Sequence, residues 1–329
     1  MSIIVTGVGG PAGVAVAEHL MHSGESVVGV DADSWAAGFG IVTASATVPY
    51  ATDPSYPDTI LQIAHTYKAD VLVSTVAEEL PLLHRISGML ADRGVHTWVP
   101  TPETVNVCSD KQLFALCLEQ AGVPHPYTVT APDRLPKHGQ GPWIVKPASG
   151  RGSRGLTVGI TDREQVQRAV ALLDGAPAVI QEQVYGEEFT ADTLTDVDGT
   201  TVCVAARWRV ATKSGISTKG ETFTNELVTE QVKNTLQAVG LTGPACVQGF
   251  VTSSGNVIII EVNPRFSGGL PLTLMSGADT VGEYVRRIRG VPFNLENLTP
   301  RPGVRMSRYF NASYSSDGAT WVGQAGALK

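Results

Sequence analysis

Hydrophobic positions in the first hundred residues follow two alternating rhythms. Short β-branched runs of strand length occupy residues 3–6, 27–30 and 71–73, and apolar residues recur at helical spacing near residues 12–22, 56–67 and 78–93. This alternation predicts a parallel sheet with helices on its faces. Thr101-Pro102-Glu103 reads as an N-cap followed by proline at the first helical position. Ser109-Asp110-Lys111 opens a second helix, which runs to Gln120 and is stopped by Gly122. The cluster Gly122-Val123-Pro124-His125-Pro126 then breaks the pattern, and the Pro/Gly-rich residues 131–142 predict a surface connection.

Beyond that connection the periodicity changes. Residues 143–146 and 156–160 read as strands flanking a glycine-rich loop, and Thr161-Asp162-Arg163-Glu164 as a capping box for a helix reaching about residue 173. Strands are predicted at 179–182, 188–196 and 201–210, then a helix over 225–239 ended by Gly240. Two more strands, 247–252 and 257–262, surround the turn Ser253-Ser254-Gly255-Asn256, and helices follow at 271–276 and 281–289. The second half is expected to be α+β and mostly antiparallel.

Composition narrows the function classes. The 329 residues carry 24 basic and 31 acidic side chains, a formal charge of −7, which argues against a nucleic-acid coat or a basic membrane-surface protein. Charged residues at 17% and hydrophobic ones at 43% are a globular mix, too apolar for disorder. No apolar run approaches the ~20 residues of a membrane span, and the N-terminus lacks the basic region of a signal peptide. The four cysteines form no Cys-x-x-Cys pair, so zinc and disulfide-framework readings are poor. Together these features predict a reduced, cytoplasmic protein.

Three motifs carry candidate chemistry. Gly7, Gly9 and Ala12 fit the dinucleotide pattern G-x-G-x-x-A, with Asp31 where a ribose-binding acid would sit; a tight turn or simple anion site explains them more economically. The run from Lys146 through Gly150, Arg151, Gly152, Ser153 and Arg154 to Gly155 exposes many N–H groups and two guanidiniums, fit to fold over a polyphosphate, or else is a hairpin with a basic tip. It is not a Walker loop, because its lysine precedes the glycines. Glu261 and Asn263 lie two apart on a strand and so share a face, where oxygen ligands suit Mg²⁺ held with nucleotide phosphates. Gln248, on the preceding strand of the hairpin, and Arg265, just beyond, complete the group; a solvated strand end is the plain alternative. Arg207, Arg209 and Lys213 beside the glycine-containing residues 214–220 form a basic cluster, either for a substrate carboxylate or as a solvated edge. His19 and His22 lack a third ligand, and the five tryptophans are too scattered for nucleic-acid stacking.

In this order the motifs resemble the ATP-grasp ligases, above all the branch of carbamoyl-phosphate synthase large-subunit halves and short stand-alone relatives. The likeness rests on the Gly-rich first βα unit, Asp110-Lys111, Gly-Val-Pro-x-Pro, Lys146-Pro147 with its glycine loop, Gln181-Glu182-Gln183-Val184, Gly186-Glu187-Glu188-Phe189-Thr190 and Glu261-Val262-Asn263-Pro264-Arg265-Phe266-Ser267-Gly268-Gly269. It implies an ATP-grasp fold, α/β and α+β: a Rossmann-like parallel-sheet domain over 1–103, a small ATP-binding lid over 104–185 and a large subdomain over 186–329, the last two clasping ATP. It implies that Lys111 and Lys146 contact ATP phosphates, with Ser149, Gly150, Gly152 and Ser153 in the covering loop. Glu182, Gln183 and Val184 would receive adenine, Glu188 the ribose, and Gln248, Glu261 and Asn263 the metal. Arg265 would stabilise an acyl phosphate, and Gly9, Gly10, Arg209, Ser267, Gly268 and Gly269 would border the substrate.

The expected activity is ATP-dependent joining of a small-molecule carboxylate to an amine through an acyl phosphate, with ATP and Mg²⁺ (or Mn²⁺) as cofactors. Neither nucleic acid nor membrane is expected as a partner; a homodimer is compatible. A bicarbonate-phosphorylating enzyme is the nearest alternative, and an NAD(P)-dependent oxidoreductase using Gly7 and Gly9 the next. No Cys–His glutaminase arrangement is visible, and residues 298–329 carry no assigned motif.

Overall fold

The computed structural model describes residues 1–136, 141–150, 155–316 and 320–323. The tip of the glycine-rich loop, with Arg151, Gly152, Ser153 and Arg154, lies outside the described residues, and with it the expectation of phosphate cover there.

The first unit is β1 (Ser2–Thr6), α1 (Pro11–His22), β2 (Val27–Asp31), β3 (Ala44–Thr47), α2 (Tyr56–Thr66), β4 (Ala69–Val73), α3 (Leu80–Ala91) and β5 (His96–Thr97). Its five strands are parallel in the order β3-β2-β1-β4-β5. Strand β1 is buried throughout and shows why the sequence folds this way. Ile3 and Val5 join the core beneath α1, whereas Ile4 faces the opposite core with Tyr56, Ile60, Leu83 and Leu90. Sequence reading missed β3 and β5, which are short and contain few strongly hydrophobic residues.

The middle of the chain supplies α4 (Pro102–Ser109), α5 (Lys111–Ala121), β6 (Thr128–Val129), β7 (Trp143–Pro147), β8 (Thr157–Ile160), α6 (Arg163–Ala171) and β9 (Ala178–Glu182). Thr101 caps α4, Asp110 caps α5, and Gly122 ends α5 in the left-handed conformation, as the sequence predicts. The box before α6 is shifted by one residue. Asp162, not Thr161, is the cap: it accepts from Gln165 N, while Gln165 Oε1 accepts from Thr161 N. A carboxylate is the stronger acceptor for the free N–H groups of a first turn. The strands form an antiparallel sheet, β6-β9-β7-β8.

The remaining elements are β10 (Glu187–Thr195), β11 (Thr201–Lys213), β12 (Ile216–Thr222), α7 (Glu226–Ala238), β13 (Gly243–Val251), β14 (Val257–Asn263), α8 (Leu270–Met275), α9 (Thr280–Ile288) and β15 (Arg305–Ser307). Their sheet is antiparallel, β14-β13-β10-β11-β12-β15. Residues 214–220, read from sequence as a glycine-containing segment, are mostly strand. Ser214 and Gly215 take positive φ to turn the hairpin, and β12 pairs with β11 from Ile216 onward.

The first unit is tied to this sheet by His19 Nε2 and Asp279 Oδ1 at 2.7 Å, by Arg289 bridging Glu25 and Asp70, and by Trp98 stacked on Tyr284. His22 bonds to the Glu18 carbonyl instead of joining His19, which leaves no histidine metal pair. After β15 the chain crosses back. Arg308 donates to the Gly268 carbonyl, Ser313 Oγ to the Ala37 carbonyl at 2.6 Å, and Trp321 meets Trp35 edge-on. Among the described residues no helix is long and apolar enough to cross a membrane.

Candidate active site

Strand pairing gathers the predicted residues on one face of the six-stranded sheet. Opposite pairs Thr190–Arg207, Thr190–Gln248 and Gln248–Glu261 put Glu188, Thr190 and Asp192 of β10 beside Arg207 and Arg209 of β11. On the other side of β10 stand Gln248 and Cys246 of β13, then Glu261 and Asn263 of β14. The opposite face packs on α5 and α7 through Phe189, Ala191, Val247 and Ile259.

One irregularity shapes this face. Gln248 pairs with Glu261 but Gly249 pairs with Ile259, so Ile260 is an inserted bulge residue. The bulge resets the parity of β14. Val257, Ile259 and Val262 stay in the core, while Ile260, Glu261 and Asn263 all line the cleft. A Cβ at Gly249, opposite the bulge, would lie 2.6 Å from the Ile258 carbonyl and 2.8 Å from the Phe189 ring, so glycine is required there.

The cleft of about 670 Å³ lies between this face and the four-stranded sheet. In β7, Trp143 and Val145 enter the core over α6, and the alternate Ile144 and Lys146 face the cleft. Burial pushes the Lys146 ammonium down to about 8, helped by Lys111 and opposed by Glu261. Lys111, first residue of α5, donates to the Gly150 carbonyl at 3.0 Å; burial lowers its pKa too, against Glu261 and Asp110. Ser149 and Gly150 line the same wall.

Glu182, Gln183 and Val184 border the cleft, but not as equivalent donors. Glu182 N–H is bonded to the Tyr127 carbonyl and Gln183 N–H to the Pro142 carbonyl, whereas Val184 N–H has no partner among the described residues. Gln183 Oε1 accepts from Gly159 N. Glu188 is held by Arg209 at 2.8 Å, and the rest of that guanidinium bonds Thr190 Oγ1 and the Gly215 carbonyl. Asn263 Nδ2 donates to Glu261 Oε1 at 2.9 Å. Arg265 donates to the Phe266 carbonyl at 2.8 Å and to Asn263 Oδ1 at 3.4 Å. The Gln248 amide has no partner among the described residues.

A second pocket of about 330 Å³ opens beside the first and shares Arg209, Gly215, Ile216, Gln248, Asn263 and Arg265 with it. Gly10, Ser267, Gly268 and Gly269 line it; Gly9 does not, since its N–H is bonded to Asp31 Oδ2 at 2.7 Å. Sequence reading missed Ser217 and Cys246 in its wall, and the buried Glu79, which is near its lining residues Thr75 and Val76 in sequence. Glu79 accepts from Thr6 Oγ1 and Ser74 Oγ, and burial pushes its carboxyl up to about 7. No local motif marks any of the three; long-range packing places them.

Arg207 is the buried post of this pocket. It bonds Asp192 Oδ2 at 2.6 Å, Ser267 Oγ and Thr273 Oγ1. A Cβ on Gly269 would sit 2.6 Å from Arg207 Nε. Gly269→Ala is therefore expected to displace the guanidinium and cost on the order of 3 kcal/mol of stability, as broken buried ion pairs do. A fall in the urea midpoint reads this out; an unchanged midpoint would mean that Arg207 has room to move.

Comparison with known proteins places the chain. Residues 108–269 match the family model described as ATP-grasp domain, and residues 3–98 the one described as PylC-like, N-terminal domain. The chain is 21% identical over 227 residues to a carbamoyl phosphate synthase large chain from Agathobacter rectalis, covering 63% of this chain and 20% of that one. It spans between 20% and 52% of the length of the first curated relatives it matches. Its fold is that of biotin carboxylase from Campylobacter jejuni (TM-score 0.72, 17% identity, 91% of this chain and 73% of that one). It is equally that of an L-amino acid ligase from Bacillus licheniformis (TM-score 0.69, 17% identity, 91% and 78%). The chain thus carries an ATP-grasp domain set behind a PylC-like N-terminal domain.

Proposed function

We propose that the protein is an ATP-dependent carboxylate–amine ligase. The observation that carries this reading is the junction of the two pockets at Gln248, Asn263 and Arg265, which lets a small acid meet the end of a nucleotide. A carboxylate oxygen attacks the γ-phosphorus and ADP leaves. The amine nitrogen then attacks the acyl carbon, phosphate leaves, and the amide nitrogen loses its proton. Both nucleophiles come from substrates, so the protein's work is positioning and charge neutralisation.

In this reading the unit over 104–185 closes on the nucleotide against the six-stranded sheet. Lys111 and Lys146 take the phosphates, Val184 N–H receives the adenine and Glu188, oriented by Arg209, the ribose. The donor set of Gln248, Glu261 and Asn263 is all oxygen, and the unpartnered Gln248 amide is available to a ligand; this fits Mg²⁺ or Mn²⁺. A bound ion would neutralise phosphate charge. Arg265, with only neutral partners, is placed for the anionic groups that meet at the junction. A pocket of about 330 Å³ exceeds what bicarbonate needs and favours an organic acid.

The test is ADP release by the full chain with Mg-ATP against pairs of acids and amines, with products weighed by mass spectrometry. Acid-dependent ADP release and a product of acid plus amine minus water are expected. Glu261→Gln should lower turnover by about 10²-fold or more with the fold intact. Acid-independent hydrolysis, or turnover driven by bicarbonate alone, would reject the reading.

A further inference from the structure

The charges around the smaller pocket do not balance within the protein. Among the described residues, its charged lining groups are Asp31, Arg207, Arg209 and Arg265. Arg207 is matched by Asp192 and Arg209 by Glu188. Arg265 has no carboxylate partner; it bonds only a carbonyl and an amide oxygen. Asp31 has no cationic partner; its oxygens accept from Gly9 N at 2.7 Å and Asp33 N at 2.9 Å, leaving lone pairs on both. One unmatched positive and one unmatched negative group therefore share a single small cavity. They come from different walls: Arg265 follows β14, and Asp31 ends β2 of the first unit. Ser217, 2% exposed, also lines the pocket, and its buried hydroxyl has no hydrogen-bond partner among the described residues, a cost unless a ligand satisfies it.

From this ledger we infer that the pocket binds its acid as an amino acid, a carboxylate that also carries an ammonium group. The carboxylate meets Arg265 at the junction with the nucleotide cleft, the ammonium meets Asp31, and Ser217 Oγ bonds the ligand. Asp31 thereby sets specificity: an acid without the cation would leave a carboxylate facing the pocket unpaired, which costs more than the missing contact alone. The volume suits one amino acid and not a peptide of several residues. The inference rests on the ligase reading for the acid's role, but not for its binding.

The test is calorimetry on the full chain preloaded with Mg²⁺ and a non-hydrolysable ATP analogue. The titrants are the common amino acids, each beside its N-acetyl and its deaminated counterpart. At least one amino acid should bind ten-fold or more tightly than both of its counterparts. Asp31→Asn should erase that preference while analogue affinity stays within about two-fold, and Ser217→Ala should weaken the same amino acid several-fold. Equal binding of the counterparts that lack the ammonium, or no binding of any amino acid, overturns the assignment. ADP release driven by acids lacking an ammonium would then leave the ligase reading standing. Selective amino-acid binding without any ADP release would sustain the pocket and sink the ligase reading instead.

Discussion

Lys146→Met is expected to weaken Mg-ATP binding by about 10²-fold or more and, in the same protein, to raise the thermal midpoint of the nucleotide-free form. The ammonium sits in the cleft wall at the end of β7, where burial and Lys111 hold its pKa near 8, below the ordinary 10.5. Between those values the unfolded chain holds a proton that the folded chain has released, so stability climbs with pH across that window. Below about pH 8 the charge is present in both states, and the folded protein carries the full cost of burying it. Methionine keeps the length and removes that cost, on the order of 2 kcal/mol at neutral pH after allowing for the side chain's partial exposure. ATP phosphates lose their buried cation, which should weaken binding by about 10²-fold or more. Wild-type affinity for a non-hydrolysable analogue should also fall as pH rises past about 8, and the variant should show no such slope. Calorimetry across pH with parallel melting curves reads both effects. A variant that melts lower and still binds would mean that Lys146 is a structural group.

Arg265→Lys should separate binding from chemistry. The guanidinium is anchored to the Phe266 carbonyl and touches Asn263 Oδ1, at the edge shared by both pockets. Lysine keeps the charge, but its three donors sit on one nitrogen and cannot span the anchor and a second anionic group as the planar fork does. Turnover is expected to fall on the order of 10²-fold, as when an oxyanion donor is lost, with analogue affinity nearly unchanged. Single-turnover rates beside analogue calorimetry distinguish the cases. If the analogue is lost as severely as in Lys146→Met, Arg265 is a ground-state phosphate clamp and this role is wrong.

Much of the fold is written locally. The alternation of Ile3, Ile4 and Val5, the caps at Thr101 and Asp110 and the stop at Gly122 each act within a few residues, so their patterns survive in one dimension. Glu261 and Asn263 are legible for the same reason, being two apart on a strand. The bulge at Ile260 is not, because it exists only relative to β13, and the glycine that permits it lies eleven residues away in sequence. Arg207 and Arg209 read as an ambiguous basic cluster until the register sets them against Asp192 and Glu188. Residues 182–184 are legible as one segment beside the cleft, but which N–H stays free depends on Tyr127 and Pro142. Ser217 sat in a stretch whose glycines hid a strand. Asp31 reads from sequence as a ribose-binding acid of a dinucleotide site; its place in the smaller pocket depends on the first unit's packing against a sheet more than 150 residues away.

The seam between the first unit and the six-stranded sheet bears on inheritance. Lys111 and Lys146, proposed for the phosphates, and the oxygen donors of β13 and β14 all lie at or beyond residue 111, whereas Gly10, Asp31, Thr75 and Val76, which wall the smaller pocket, come from the first unit. On the proposed ligase reading, exchange of that unit between relatives would change which acid is admitted and leave the handling of ATP in place. The graft would have to bring partners for the joint: a histidine opposite Asp279, acids for Arg289, a Trp98 face for Tyr284 and a dock at Ala37 for the returning tail. Diversification of acid choice is thereby constrained less by the chemistry at the nucleotide than by a handful of residues that never touch a substrate.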